Sequence, residues 1–354
     1  MGRADMKPEP SIHGLPLSEV ARRVGSIDQL ARIDHFTEAE GPRRGTRRIR
    51  LVTGGGLEVE LHPDRAFDIG QVTFRGVPVA WVSPMGQANP AFYDASGMEW
   101  LRTFGGGLMC TCGLDTFGPA SVDRGVSYPM HGRVGAIPGT LLRAEAVDGR
   151  LIVECEVRQA KVFEENLVLH RRIEAPIGGC SLRITDTVTN HGPSDAGHML
   201  LYHCNVGWPL LDEAARLSIP SVKVTPRDDA ATAGVARWHL IDPPERGYRE
   251  QVFIHELGEA KRATVSVDNP NLGIRLELSF DTTTLPGFHQ WKMADEGHFV
   301  MGLEPNNCNW TGGRASAQAS GVLPVLKPGE TVRYDLQFDL GPSCHAPNRT
   351  DLEQ

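Results

Sequence analysis

Two short segments place acid–base groups where a strand would present them. In Leu200-Leu201-Tyr202-His203-Cys204-Asn205-Val206-Gly207, an extended backbone puts Leu201, His203 and Asn205 on one face and Leu200, Tyr202, Cys204 and Val206 on the other. The second face reads as apolar. The first sets an imidazole beside an amide, and such groups need partners when buried. That face therefore opens onto a cleft or a hydrogen-bond network, or else His203 is a core histidine held by a backbone carbonyl. In Val300-Met301-Gly302-Leu303-Glu304-Pro305-Asn306-Asn307, an apolar run leads into a carboxylate and a proline ends the strand. Glu304 so placed suits a half-buried general base, or simply a solvated charge at a strand end.

Three further segments carry candidate groups. Tyr128-Pro129-Met130-His131-Gly132-Arg133 presents a loop imidazole beside a glycine, with the donor fork of Arg133 next to it. In His62-Pro63-Asp64-Arg65-Ala66-Phe67-Asp68, Arg65 follows an aspartate at a strand end. In Phe288-His289-Gln290-Trp291-Lys292-Met293, Gln290 and Lys292 share one face of an extended chain, opposite His289 and Trp291. His289, His298 and Glu296 lack the spacing of a zinc site, and Cys110 and Cys112 have no second ligand pair near them, so no metal is expected. Gly105-Gly106-Gly107-Leu108 has neither the lysine nor the helix of a phosphate loop.

The elements that must position these residues are strands. Glycine (39) and proline (25) punctuate short β-branched runs. Gly54-Gly55-Gly56 separates Arg48–Thr53 from Leu57–His62 as a hairpin turn, and Pro176-Ile177-Gly178-Gly179 separates Asn166–Glu174 from Cys180–Thr189. Further strands are expected from Gly197–Val206 and Leu217–Thr225 through to Thr331–Leu340. Helical pattern is confined to Leu17–Arg32, where Ser26 can cap a second short helix. Ser83–Gly125 is long, rich in glycine and aromatics, and unpatterned, as site walls and lids are. These features predict an all-β chain: an extension with short helices over 1–40, one large antiparallel β-sandwich over 41–345 and a tail over 346–354.

Composition narrows the class. The chain is 40% hydrophobic and 23% charged, as ordinary globular proteins are. A net charge of -8 without long basic runs argues against nucleic acid. No apolar run is long enough to span a bilayer, and the first ten residues have no signal-peptide core. Seven scattered cysteines make no disulfide framework. A cytoplasmic protein is expected. The oligomeric state stays open, with a homo-oligomer compatible with the sequence.

Taken in order, Pro63-Asp64-Arg65, Phe104-Gly105-Gly106-Gly107-Leu108, Thr111-Cys112-Gly113-Leu114, His131-Gly132-Arg133, Tyr202-His203-Cys204-Asn205, Phe288-His289-Gln290-Trp291-Lys292 and Gly302-Leu303-Glu304-Pro305-Asn306 resemble the aldose 1-epimerase (galactose mutarotase-like) superfamily, and within it a bacterial branch of aldose 1-epimerase-like proteins. The resemblance covers roughly residues 45 to 340. It implies a β-sandwich with a sugar in a broad cleft and an enzyme that interconverts the anomers of an aldose without a cofactor. It implies that His203 is the general acid, Glu304 the general base and His131 a catalytic partner at the ring oxygen. Arg65, Arg133, Asn205, Gln290, Trp291, Lys292 and Asn306 would bind the sugar, and Trp208, Trp291 or Trp310 would cover its apolar face. The family's sugar-contacting aspartate has no match here; Gln290-Trp291-Lys292 stands in its place, which leaves the sugar open. Another sugar isomerase, epimerase or lyase on this fold, or a non-catalytic sugar-binding protein, is the alternative.

Overall fold

The computed structural model describes residues 9–345, so the tail expected over 346–354 lies outside the described residues. The fold is a large antiparallel β-sandwich built on three sheets. The widest has eight strands, in the order 140–147, 150–160, 166–176, 181–190, 331–342, 274–281, 262–269 and 216–218. Its alternation is the sequence pattern made visible. Leu182, Ile184 and Val188 point inward from Ser181–Asn190, and Tyr334, Leu336 and Phe338 do so from the neighbouring Thr331–Pro342. Register pairs Leu182 with Phe338 and Ile184 with Leu336, so the large side chains meet across the ladder.

A second sheet has six strands, in the order 221–226, 251–257, 287–295, 298–306, 201–207 and 110–112. A third has five, from 32–37 to 77–78. One hydrophobic core draws on all three: Leu51, Val59 and Ile69 from the five-stranded sheet meet Ile184 and Phe338 from the widest and Leu303 from the six-stranded one. Leu201–Gly207 is buried at all seven positions, unlike the alternating strands of the widest sheet. A strand buried throughout is covered on both faces, here by the core on one side and by the walls of a cleft on the other.

The glycine turns close hairpins as expected: Ile49 faces Leu61, and Leu169 faces Val188. Local expectations change in part. Leu217–Thr225 is not one strand. Arg216–Ser218 pairs in the widest sheet and Ser221–Pro226 in the six-stranded one. The chain crosses between sheets at Ile219-Pro220, where proline has no N–H for a ladder. The two short N-terminal helices form as expected, Leu17–Val20 and a single 3-10 turn, Ile27–Gln29, which the Ser26 side chain caps by accepting from the Asp28 N–H. Short helices also form later in the chain, at Asp229–Gly234 and Gly313–Ala319, each too brief to show a helical period in sequence. Residues 32–37 form an edge strand of the five-stranded sheet, paired with 47–52.

The core face of Leu201–Gly207 is also not wholly apolar. The Tyr202 hydroxyl donates to Asp186 Oδ2 at 2.8 Å. Asp186 holds the fully buried Arg171 with two bonds of 2.9 and 2.7 Å. Arg171 donates further to the Ala66 carbonyl at 2.9 Å, to Thr111 Oγ1 at 2.9 Å and to Asp68 Oδ1 at 3.3 Å. A buried charge is tolerated only when paired and hydrogen-bonded in this way. Among the described residues no helix is long and apolar enough to cross a membrane.

Candidate active site

The six-stranded sheet presents one row of ionisable groups. His289 lies directly across from Glu304 on adjacent strands. The next pairing, Cys204 with Leu303 and Leu201 with Asn306, sets His203 across from Glu304 on the other side. Three neighbouring strands thus each contribute one group to the same face, and a slip of one residue would turn any of them away. The row forms the floor of a cleft of about 810 Å³.

His203 Nε2 lies 3.2 Å from Glu304 Oε1, with both side chains nearly inaccessible. Burial pushes Glu304 up to about 8 and His203 down to about 4, because a dry site penalises whichever form is charged. At neutral pH the pair therefore holds one proton, and the surroundings favour the neutral arrangement with the proton on Glu304. The contact favours the one-proton state too, since a shift of that proton to His203 creates two opposite charges side by side. Gly302 makes room for this pair. A Cβ there would lie 2.7 Å from Glu304 Oε1 and 2.9 Å from the Trp291 Cβ.

His131 arrives from a loop with its own backbone at φ 55°. Its neighbour Gly132 has φ 76°, and a Cβ on it would stand 2.1 Å from the Gly113 carbonyl oxygen, so only glycine lets the loop pass. The His131 ring packs 4.5 Å from Trp100 and 5.7 Å, edge to face, from His203. Burial holds His131 down at about 3, so it is neutral. Among the described residues neither His131 Nδ1 nor His203 Nδ1 has a hydrogen-bond partner. His289, lowered by burial to about 4, faces Asn309 Oδ1 at 3.2 Å.

The walls are aromatic. Phe104 and Trp291 lie 5.1 and 5.3 Å from the His203 ring, and Trp81 packs against both. Ser83–Gly125, unpatterned in sequence, supplies one wall with Met85, Met98, Trp100, Leu101, Phe104 and Phe117. At the rim, Trp291 Nε1 donates to Glu250 Oε2 at 2.9 Å, and Arg227 donates to Glu250 Oε1 at 2.9 Å.

The cleft brings together His131, His203, Glu304 and Trp291, and leaves six of the expected site residues outside its lining. Gln290 and Lys292 are corrected by strand alternation. They point to the back of the sheet, opposite His289 and Trp291. There Gln290 donates to the Trp238 carbonyl at 2.8 Å, and Lys292 donates to Asp242 Oδ2 at 2.6 Å and to the Leu240 carbonyl at 2.9 Å. Both pin a surface loop. Arg65 is buried elsewhere and reaches the Ala88 carbonyl at 3.3 Å. Arg133 starts a 3-10 turn away from the cleft. Asn205 is folded back onto the carbonyls of Gly107 and His203, and Asn306 onto that of Glu304. Trp208 is exposed and Trp310 packs behind the wall, bonded to Ser316. The residues missed were His289, Arg227, Glu250, Trp81, Trp100 and Phe104. For His289 the signal was present, since it shares a strand face with Trp291. Among the described residues no group of three His, Cys, Asp or Glu side chains is arranged to hold a metal.

A family model described as a domain of unknown function (DUF4432) matches residues 43–340. No curated protein matches the chain. Among solved structures, a Klebsiella pneumoniae protein provisionally named an aldose 1-epimerase is 24% identical, with 90% of this chain and 86% of that one covered and a TM-score of 0.81. A galactose mutarotase-like protein from Clostridium acetobutylicum is 13% identical, with 89% and 99% covered and a TM-score of 0.63. The galactose 1-epimerase of Lactobacillus acidophilus is 12% identical, with 88% and 99% covered and a TM-score of 0.59. The fold is the one these proteins share.

Proposed function

Since the chain belongs to the DUF4432 family, whose description leaves its chemistry open, we propose from the site itself that the protein interconverts the anomers of an aldose by acid–base ring opening and closure. The observation that carries this is the contact of an imidazole with a carboxyl group, His203 and Glu304, 3.2 Å apart on the floor of an aromatic cleft. Anomerisation needs one group that gives a proton and one that takes it, and no net proton is consumed.

The proton passes from Glu304 to His203 across their contact, which leaves a carboxylate and an imidazolium. Glu304 takes the proton of the anomeric hydroxyl as the C1–O5 bond breaks, and His203 protonates O5. The open aldehyde turns about C1–C2. O5 then attacks the other face of C1, returning its proton to His203, while Glu304 gives its proton to the carbonyl oxygen. Matched acid and base groups of this kind contribute roughly 10²–10⁴-fold each. The neutral His131, packed against Trp100, is placed to hydrogen-bond the ring oxygen or a neighbouring hydroxyl. Trp291 and Phe104 offer faces for the C–H side of the ring. The reaction requires no cofactor.

The test is NMR exchange between the anomers of a panel of free aldoses. Wild type is expected to speed the exchange of at least one, with Glu304→Gln and His203→Ala each slowing it roughly 10²-fold or more. A wild type inert toward every aldose, or variants as fast as wild type, would remove the proposal. The same pair could instead take a proton from carbon beside a carbonyl; solvent deuterium entering a C–H bond during the assay would reveal that reaction.

A further inference from the structure

Resting on that reading for where the anomeric carbon lies, we infer that the substrate is a neutral sugar carrying an apolar substituent, which lies along the wall formed by residues 81–104.

Size comes first. The cleft measures about 810 Å³, more than one sugar ring fills and large even among ligand pockets. The extra space has a definite chemistry. Met85, Met98 and Leu101 line the cleft, yet 44%, 62% and 46% of their surfaces face solvent. Clustered apolar side chains left open to water mark a binding surface rather than a core. This surface is continuous with the reactive pair: Trp100 stacks on Phe104 at 4.4 Å, and Phe104 packs 5.1 Å from His203. A ligand with its anomeric carbon at Glu304 would meet hydrocarbon as it leaves the cleft by this wall.

Charge supplies the second half. Among the described residues Arg227 is the one lysine or arginine lining the cleft, and it is already held by Glu250 at 2.9 Å and Asp228 at 2.8 Å. The cations that would have welcomed a phosphate or carboxylate are elsewhere: Lys292 on the back of the sheet against Asp242, and Arg65 and Arg133 outside the lining. An anionic substituent would lose its hydration here without a free cation to replace it. A flexible methionine pair accepts varied apolar shapes.

The experiment titrates the full chain by tryptophan fluorescence, which reports on Trp81, Trp100 and Trp291 in the cleft. The probes are D-glucose, D-galactose, their 6-O-benzyl ethers and their 6-phosphates, with anomer exchange of each followed by NMR in parallel. At least one ether is expected to bind roughly ten- to hundredfold more tightly than its parent, as burial of an aromatic ring implies, and the phosphates to bind least. In the double variant Met98→Glu, Leu101→Gln, at exposed positions that the fold does not need, the ether-to-parent ratio is expected to fall towards one. Ethers within twofold of their parents, no binding of either ether, phosphates binding best, or a preference unchanged in the double variant would each overturn the inference. Tight, wall-dependent binding of ethers without anomer exchange would remove the anomerase reading and leave this one standing. Exchange of the parent sugars without preference for the ethers would do the reverse.

Discussion

Glu304 and His203 set the pH range in which the site can work. Below about 4 both groups are protonated, and above about 8 neither is. Only between these limits does the pair hold the single proton that ring opening uses. Activity is therefore expected to follow a bell, with an acid limb near 4 that belongs chiefly to His203 and an alkaline limb near 8 that belongs chiefly to Glu304. Any extra stability that the contact between them gives the one-proton state moves the limbs apart. A pH–rate profile on the responding aldose checks this; an alkaline limb near the ordinary carboxylate value of 4.5 would show that burial does not control Glu304. At this scale the sequence was partly legible. His203 and Glu304 stood out because each is a polar group inside an apolar strand. The charge state was not legible, since it depends on how deeply Phe104, Trp81 and Trp291 bury the pair, and those walls come from distant segments.

The element that decided most of the site is the strand Gly287–Asp295. Its alternation was readable, and it divides His289 and Trp291 from Gln290 and Lys292. Charge and hydrogen-bonding capacity pointed to the wrong face, because nothing local says which side of a strand meets a cleft and which meets a loop. Lys292 is in effect a loop anchor. Lys292→Met is expected to destabilise the protein by roughly 1–3 kcal/mol, because Asp242 and the Leu240 carbonyl lose a buried donor. Per folded molecule, anomer exchange should persist. Denaturant unfolding with specific activity measured on the folded fraction checks both halves, and a total loss of activity would return Lys292 to the cleft. Hairpins, by contrast, were legible where glycine marked the turn. The split of Leu217–Thr225 between two sheets was harder to see, since both halves look like strand and only Pro220 hints at the break. Ser83–Gly125 could be recognised as a wall by its length and composition, but not which of its aromatics would reach His203.

For the molecule as a whole, six buried histidines matter together. His62 and His131 are lowered to about 3, and His198, His203, His255 and His289 to about 4, all chiefly by burial. Between those values and 6.5 the unfolded chain binds protons that the folded one refuses. Their stability contribution is therefore complete above about 6.5 and is lost as pH falls toward 4. Glu304 runs the other way: raised to about 8, it costs stability as pH rises from 4.5 to 8. Asp68, Asp115 and Glu165, also raised by burial, run the same way as Glu304, so six histidines stand against four carboxyl groups. The histidines being the more numerous, the melting temperature is expected to fall from pH 6.5 to 4.5, which calorimetry across that range checks; a flat profile would mean that the imidazoles do not outweigh the buried carboxyl groups.

The Arg171 network gives the three sheets a common lock. Arg171 and Asp186 belong to the widest sheet, Asp68 to the five-stranded one, and Thr111 and Tyr202 to the six-stranded one. Its bonds join residues 60, 103 and 105 positions apart in the chain. With two sheets docked and the third absent, a guanidinium would sit half-buried with only part of its donors satisfied, a state that low dielectric penalises. Partly assembled forms are therefore expected to be sparsely populated, with folding limited by long-range contacts rather than by the many local hairpins. Tyr202 is next in sequence to His203, so the step that completes the lock also sets the reactive strand: an incompletely folded molecule has no half-working site.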